Sequence, residues 1–182
     1  AEWLQRFGHW MEHGAPEDLL KASIFFDLRA VAGREELAAP LRELLTQRAL
    51  QLPRFMKQLA DNALTHRAPL NWRGAIDVKA LGGREVIDLK LQGTAIFVDV
   101  ARLYGLAHGV AATGTRARLE AVGRALALEP QESESWVGAF EFLQLLRLQV
   151  QLDAGSREAV SAPDGNANLV DVAALNDIDR RM

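Results

Sequence analysis

From Ser135 to Leu152, apolar side chains occupy every side of what the periodicity predicts to be a helix. They are Trp136, Val137, Phe140, Phe142, Leu143, Leu145, Leu146, Leu148, Val150 and Leu152. A helix that is apolar all round has no face to offer water, so other elements must surround it. Among its polar residues, Gln144, Arg147 and Gln151 fall at i, i+3 and i+7 and form one narrow stripe. A chain built round such a helix is expected to be mostly α, with further helices packed on the central one.

The rest of the sequence supplies those helices. Trp3, Phe7 and Trp10 recur at helical spacing, which predicts a short amphipathic helix over 2–12. Pro16-Glu17-Asp18 puts proline in a first turn with acids behind it, and that helix carries Leu19, Leu20, Ile24 and Phe25 inward to about Arg29. Leu37, Leu41, Leu44 and Leu45 stripe a helix over 35–51, and Pro53 opens the next, with Phe55, Met56 and Leu59. Further helices are expected at 95–108, 115–128 and 132–153. A Gly-, Ser- and Asn-rich loop is expected over 154–168, and a last helix from near Asn176. The expected fold is all-α for the most part, an antiparallel bundle of about seven to eight helices joined by short connections.

One stretch interrupts the helical pattern. Across 68–93, Pro69, Gly74, Gly82-Gly83 and Gly93 punctuate two alternating runs, 75–79 and 85–90. This predicts an irregular insert or a short hairpin about Gly82-Gly83, since two strands alone are marginal without helices to pack on.

At 182 residues the chain has the size of one domain, read as spanning 1–182. A net charge of −3 gives no general pull toward nucleic acid or an anionic membrane. No apolar run reaches the roughly 20 residues of a membrane span. With no cysteine there are no disulfides, thiolate metal sites or cysteine nucleophiles, and the cytoplasm is the default compartment. Starting on Ala1 and stopping on Asp179-Arg180-Arg181-Met182, the chain reads as a piece of a longer protein.

Catalytic patterns fail one after another. His9 and His13 have the i, i+4 spacing of two metal ligands, but no third ligand or general base accompanies them, and surface histidines are expected. Gly82-Gly83 lacks the lysine and the following helix of a phosphate loop. No serine sits in a nucleophile elbow. The two close carboxylates that hold divalent metal over a triphosphate are missing too. No catalytic residue and no cofactor are therefore assigned to this chain.

What remains is charge in mid-chain. Asp27 and Arg29 close the second helix, Asp88 and Lys90 lie at the end of the insert, Asp99 and Arg102 follow, and Arg147 stands on the polar stripe of the central helix. Two readings are open. Asp99–Arg102 is an ordinary i, i+3 pair on a solvated surface, or these residues border a groove for an anionic ligand or a partner domain. Of the four tryptophans, Trp72 in the insert is expected to be exposed and the others to be core.

The ordered runs Ser23-Ile24-Phe25-Phe26-Asp27-Leu28-Arg29-Ala30 with Gly33, Pro53-Arg54-Phe55, Ala68-Pro69-Leu70, Ile87-Asp88-Leu89-Lys90 with Gly93, and Val98-Asp99-Val100-Ala101-Arg102-Leu103-Tyr104 resemble one family. Phe142-Leu143, Leu146-Arg147-Leu148 with Gln151, and Asn168-Leu169-Val170-Asp171 continue the likeness over nearly the whole chain. The family is that of the nucleotidyltransferase substrate-binding domains of bacterial signal-transduction proteins. Leu91 and Gln92 stand where the family usually has a basic residue or two.

The resemblance implies a helical bundle similar to the C-terminal domains of aminoglycoside nucleotidyltransferases, and a relationship to the uridylyl- and adenylyltransferases of nitrogen regulation. It also implies a nucleotidyltransferase-like domain upstream, often preceded by cyclic-nucleotide-binding and cystathionine-synthase-type modules. Magnesium and a nucleoside triphosphate would belong to that upstream domain. On this reading Asp27, Arg29, Asp88, Lys90, Asp99, Arg102 and Arg147 line a charged groove, in which Lys90, Arg102 and Arg147 contact phosphate or carboxylate groups while the aspartates orient them or bind a polar substrate. The alternative is an interaction or homodimerisation domain using the Trp3/Trp10 helix. Neither reading includes nucleic acid or membrane.

Overall fold

The computed structural model describes residues 2–15, 18, 23, 25, 27–156 and 166–176, with side chains left undescribed at 153–156. Much of the helix expected from Pro16, including Leu19, Leu20 and Ile24, therefore lies outside the described residues. So do most of the 154–168 loop and the terminal helix beyond Asn176. Among the described residues there are six α-helices: α1 (Glu2–His13), α2 (Ala39–Ala49), α3 (Pro53–Ala63), α4 (Ala95–Ala107), α5 (Thr115–Ala125) and α6 (Pro130–Ser156). Three short strands join them: β1 (Lys79–Leu81), β2 (Arg84–Asp88) and β3 (Leu169–Asp171). The chain divides into two compact units, one of Ala1–Thr65 with Val98–Val137, the other of His66–Phe97 with Gly138–Met182.

The first unit is helical. Proline in the first turn of α2 and α3 pre-sets the backbone where an N–H would lack a partner anyway. Phe7 and Met11 of α1, Leu45 and Ala49 of α2, Phe55 and Leu59 of α3 and Leu106 of α4 make one buried cluster. Each of the larger side chains contributes about 1.5–3 kcal/mol by leaving water. Trp3 and Trp10 close round Phe25 at ring separations of 5.8 and 5.2 Å. Trp3 nonetheless stays half exposed, which corrects its assignment to the core.

Gln58 donates to the carbonyl of Gly14 at 2.9 Å, fixing α3 against the end of α1. Gly14 has φ +37°, where a side chain would be strained, and a Cβ there would stand 2.4 Å from the Gln58 side-chain oxygen and displace it. At the far end of α5 the chain reverses through Ala127 at φ 51°, with the Leu128 N–H bonded to the Gly123 carbonyl at 3.0 Å. This helix stop normally takes glycine.

The second unit holds the sheet. Leu81 pairs with Arg84 across Gly82-Gly83, and both glycines have positive φ, as a two-residue hairpin turn requires. The insert is thus an ordered hairpin. It also gains a strand not foreseen in the sequence, because β3 pairs antiparallel with β2 in the order β1-β2-β3. Ile87, Leu89 and Val170 pack with Leu146 of α6 and with Leu175, which supplies the helical backing a hairpin alone lacks.

One expectation fails in part. Leu145, Leu148 and Leu152 are exposed, so α6 is not covered on every side by the described residues. The apolar girdle of its sequence is wider than the core that receives it.

Candidate functional site

The first unit contains a charge network assembled from three places in the sequence. Asp27 lies within the turn in which the Leu28 N–H bonds the Phe25 carbonyl at 3.1 Å. One carboxylate oxygen accepts Arg102 Nη2 of α4 at 2.7 Å. The other accepts Arg118 Nη1 of α5 in a short contact. Arg102 also donates to Asp99 at 3.3 Å, one turn earlier on α4, and Arg118 Nε donates to the Ala112 carbonyl at 2.7 Å.

Burial gives this network its weight. The side chains of Arg102 and Asp99 are only 13% and 16% exposed, and that of Arg118 is 6% exposed, while Asp27 retains 40%. Removing two guanidinium groups from water is costly, and apolar residues of similar volume would serve stability as well or better. Arg102 Nε is fully buried without a hydrogen-bond partner, which adds about 1–3 kcal/mol to that cost.

Beside the network is an open pocket that encloses about 20 Å3. Arg42, Leu45 and Thr46 come from α2, Leu106 from α4, and Arg118 from α5. Val110 to Thr113, the segment leading into α5, complete the wall.

In the second unit Asp88 and Arg147 are bound into the fold. Asp88 Oδ1 accepts the N–H groups of Lys90 and Leu91, each at 2.9 Å, and its Oδ2 accepts Asn166 Nδ2 at 2.9 Å. The first pair caps a single widened turn, Lys90–Thr94, that leads into α4. Arg147 Nε donates to Asn168 Oδ1 at 2.6 Å, and Gln151 reaches the same oxygen at 3.3 Å. The polar stripe of α6 thus clasps the residues just before β3.

The seven residues singled out in the sequence therefore fall into two sets. Asp27, Asp99 and Arg102 are brought together in the first unit, whereas Asp88 and Arg147 belong to a separate polar clasp in the second. Arg29 and Lys90 are exposed. Arg118 and the pocket were missed. Arg118 carried a signal, since it lies one turn before Val122 on the buried stripe of α5, where a charge is out of place.

Outside these clusters, His9 and His13 stack at 4.4 Å on an exposed face. Trp72 is exposed, as expected, with the Arg73 guanidinium 4.5 Å from its ring. Among the described residues no group of three His, Cys, Asp or Glu side chains is placed to hold a metal ion, and no helix is long and apolar enough to cross a membrane. The arrangement offers fixed charge and a cleft.

Comparison with known families matches residues 53–182 to the family described as Putative nucleotidyltransferase substrate binding domain. Searches of curated proteins and of solved structures returned no match. The matched stretch begins at α3 and includes Asp88, Lys90, Asp99, Arg102, Arg118 and Arg147, whereas Asp27 and Arg42 precede it. With most of its length in that match, the chain belongs to the putative nucleotidyltransferase substrate binding domain family.

Proposed function

We propose that this chain binds a substrate without transforming it and presents that substrate to a nucleotidyltransferase-like domain elsewhere in the same protein. The observation that carries the reading is the Arg102–Asp27–Arg118 network beside a pocket. Two buried cations on one carboxylate are a poor way to stabilise a fold and a good way to hold polar groups in fixed directions. Asp27, Asp99 and Arg102 are the assigned binding elements in the first unit. Asp88 and Arg147 act in the second by holding Lys90 and the β3 approach in place. Arg29 serves as an exposed contact. Magnesium and the nucleoside triphosphate belong to the catalytic domain.

Steady-state transfer by the intact parent protein tests this. Arg102→Lys keeps the charge but loses the two-pronged contact, and should raise the KM for the accepting substrate about tenfold, with kcat changed less than about twofold. A fall in kcat at constant KM would assign Arg102 to the chemistry. Loss of the folded state would make it structural.

A second reading has its own observation. Leu145, Leu148 and Leu152 form an exposed stripe at helical spacing on α6, suited to a protein contact. Self-association that Leu148→Glu abolishes, with transfer unaffected by Arg102→Lys, would favour an interaction domain.

A further inference from the structure

The pocket of the first unit has a charge bias that the fold does not require. Its wall holds two guanidinium groups, Arg42 and Arg118, and two threonines, Thr46 and Thr113, over a floor of Leu45 and Leu106. Among the described lining residues there is no carboxylate. The acids that pair with these arginines stand outside the wall, Asp27 behind Arg118 and Glu35 beside Arg42.

The two arginines differ in how they are held. Arg118 is 6% exposed and anchored by the Ala112 carbonyl and Asp27, so its charge has a fixed position. Arg42 is paired at 3.2 Å with a carboxylate that is itself 75% exposed, and such a contact exchanges with water or ligand at little cost. Thr46 lies one turn after Arg42 on the same helix. The segment through Thr113 leads into α5 at Thr115, whose N-cap is Gly114 with no side chain to satisfy the first-turn N–H groups. The positive end of the α5 dipole therefore adds to the same sign of potential.

From these features we infer that the pocket takes a small oxyanionic group of the substrate, a phosphate or a carboxylate, with the adjoining stem lying on Leu45 and Leu106. The inference rests on the binding reading above and narrows its substrate class. The enclosed space of about 20 Å3 has room for a group of a few heavy atoms and not for a whole nucleotide.

The test is an amide NMR titration of the 182-residue chain with inorganic phosphate and, separately, with acetate, ionic strength being held constant with chloride. Saturable shifts at the Thr46, Ala112 and Thr113 amides are expected with at least one anion. Saturation by phosphate ahead of acetate assigns a phosphoryl group, and the reverse order a carboxylate. Arg42→Gln should weaken that binding about tenfold or more while leaving the remaining spectrum in place. Absence of saturation at these amides, or equal binding by Arg42→Gln, overturns the inference. If it is overturned while Arg102→Lys still raises KM in the parent protein, the oxyanion class falls and the binding reading stands. Anion binding with an unmoved KM would instead leave the pocket in place and remove its assigned role.

Discussion

Asp27→Asn isolates the contribution of charge to the network. The substitution keeps the shape of the side chain and one acceptor oxygen, but removes the negative charge that Arg102 and Arg118 share. A hydrogen bond to a charged partner contributes about 1.5–3 kcal/mol against about 1 for a neutral one, so two weakened bonds lose roughly 2–3 kcal/mol. Repulsion between the two buried guanidinium groups adds to the loss. Asp27 is 40% exposed, however, and water screens and replaces part of the interaction. The net expectation is about 2 kcal/mol, or a fall in Tm of roughly 4–8 °C for a chain of this length. Urea denaturation followed by circular dichroism measures it, and a double-mutant cycle with Arg118→Met should show coupling of about 1 kcal/mol or more. A loss below about 0.5 kcal/mol, the size of an ordinary surface change, would refute the claim that this carboxylate holds two buried cations.

Three further substitutions test the frame round the site. Gly123→Ala would place a Cβ 2.3 Å from Ser133 Oγ, so a change that normally favours a helix should cost about 1–3 kcal/mol in thermal or urea unfolding, and a gain would contradict the packing. Ala127→Gly relieves the left-handed backbone at the end of α5 and should raise stability by about 0.5–1 kcal/mol in the same assay. Asn168→Ala removes the acceptor shared by Arg147 and Gln151. It should cost about 1–3 kcal/mol and speed amide exchange in β2 and β3 ahead of α6; uniform protection would show that the clasp does not hold the strand.

Local pattern was a good guide wherever one helix decided its own limits. The periods at 2–12, 95–108 and 132–153 lie close to α1, α4 and α6, and Pro53 marks the start of α3, because capping and amphipathic spacing act within a few residues. The Gly82-Gly83 turn was legible for the same reason. The third strand was not, since Val86 meets Asp171 and Ile87 meets Val170 across some eighty residues, a pairing that no local period encodes. The exposure of Leu145, Leu148 and Leu152 was hidden for the opposite reason, as composition reports what a helix could bury and not what arrives to cover it.

The charged site shows the same division. Asp99 and Arg102 were visible as an i, i+3 pair, yet their burial comes from the packing of α4, and the decisive partner Arg118 lies 91 residues from Asp27. Helical spacing put Arg147 on a polar stripe correctly. The structure shows that this stripe spends its hydrogen bonds on Asn168, a residue belonging to a loop with no periodic signal.

The location of a bound anion tests the central claim most directly. A crystal structure of the chain grown with whichever of phosphate or acetate saturates first should show the ion between Arg42 and Arg118, within hydrogen-bond reach of Thr46 or Thr113. An ion bound instead at Lys90 or Arg147 of the second unit, with the Arg42–Arg118 pocket holding only water, would contradict the account.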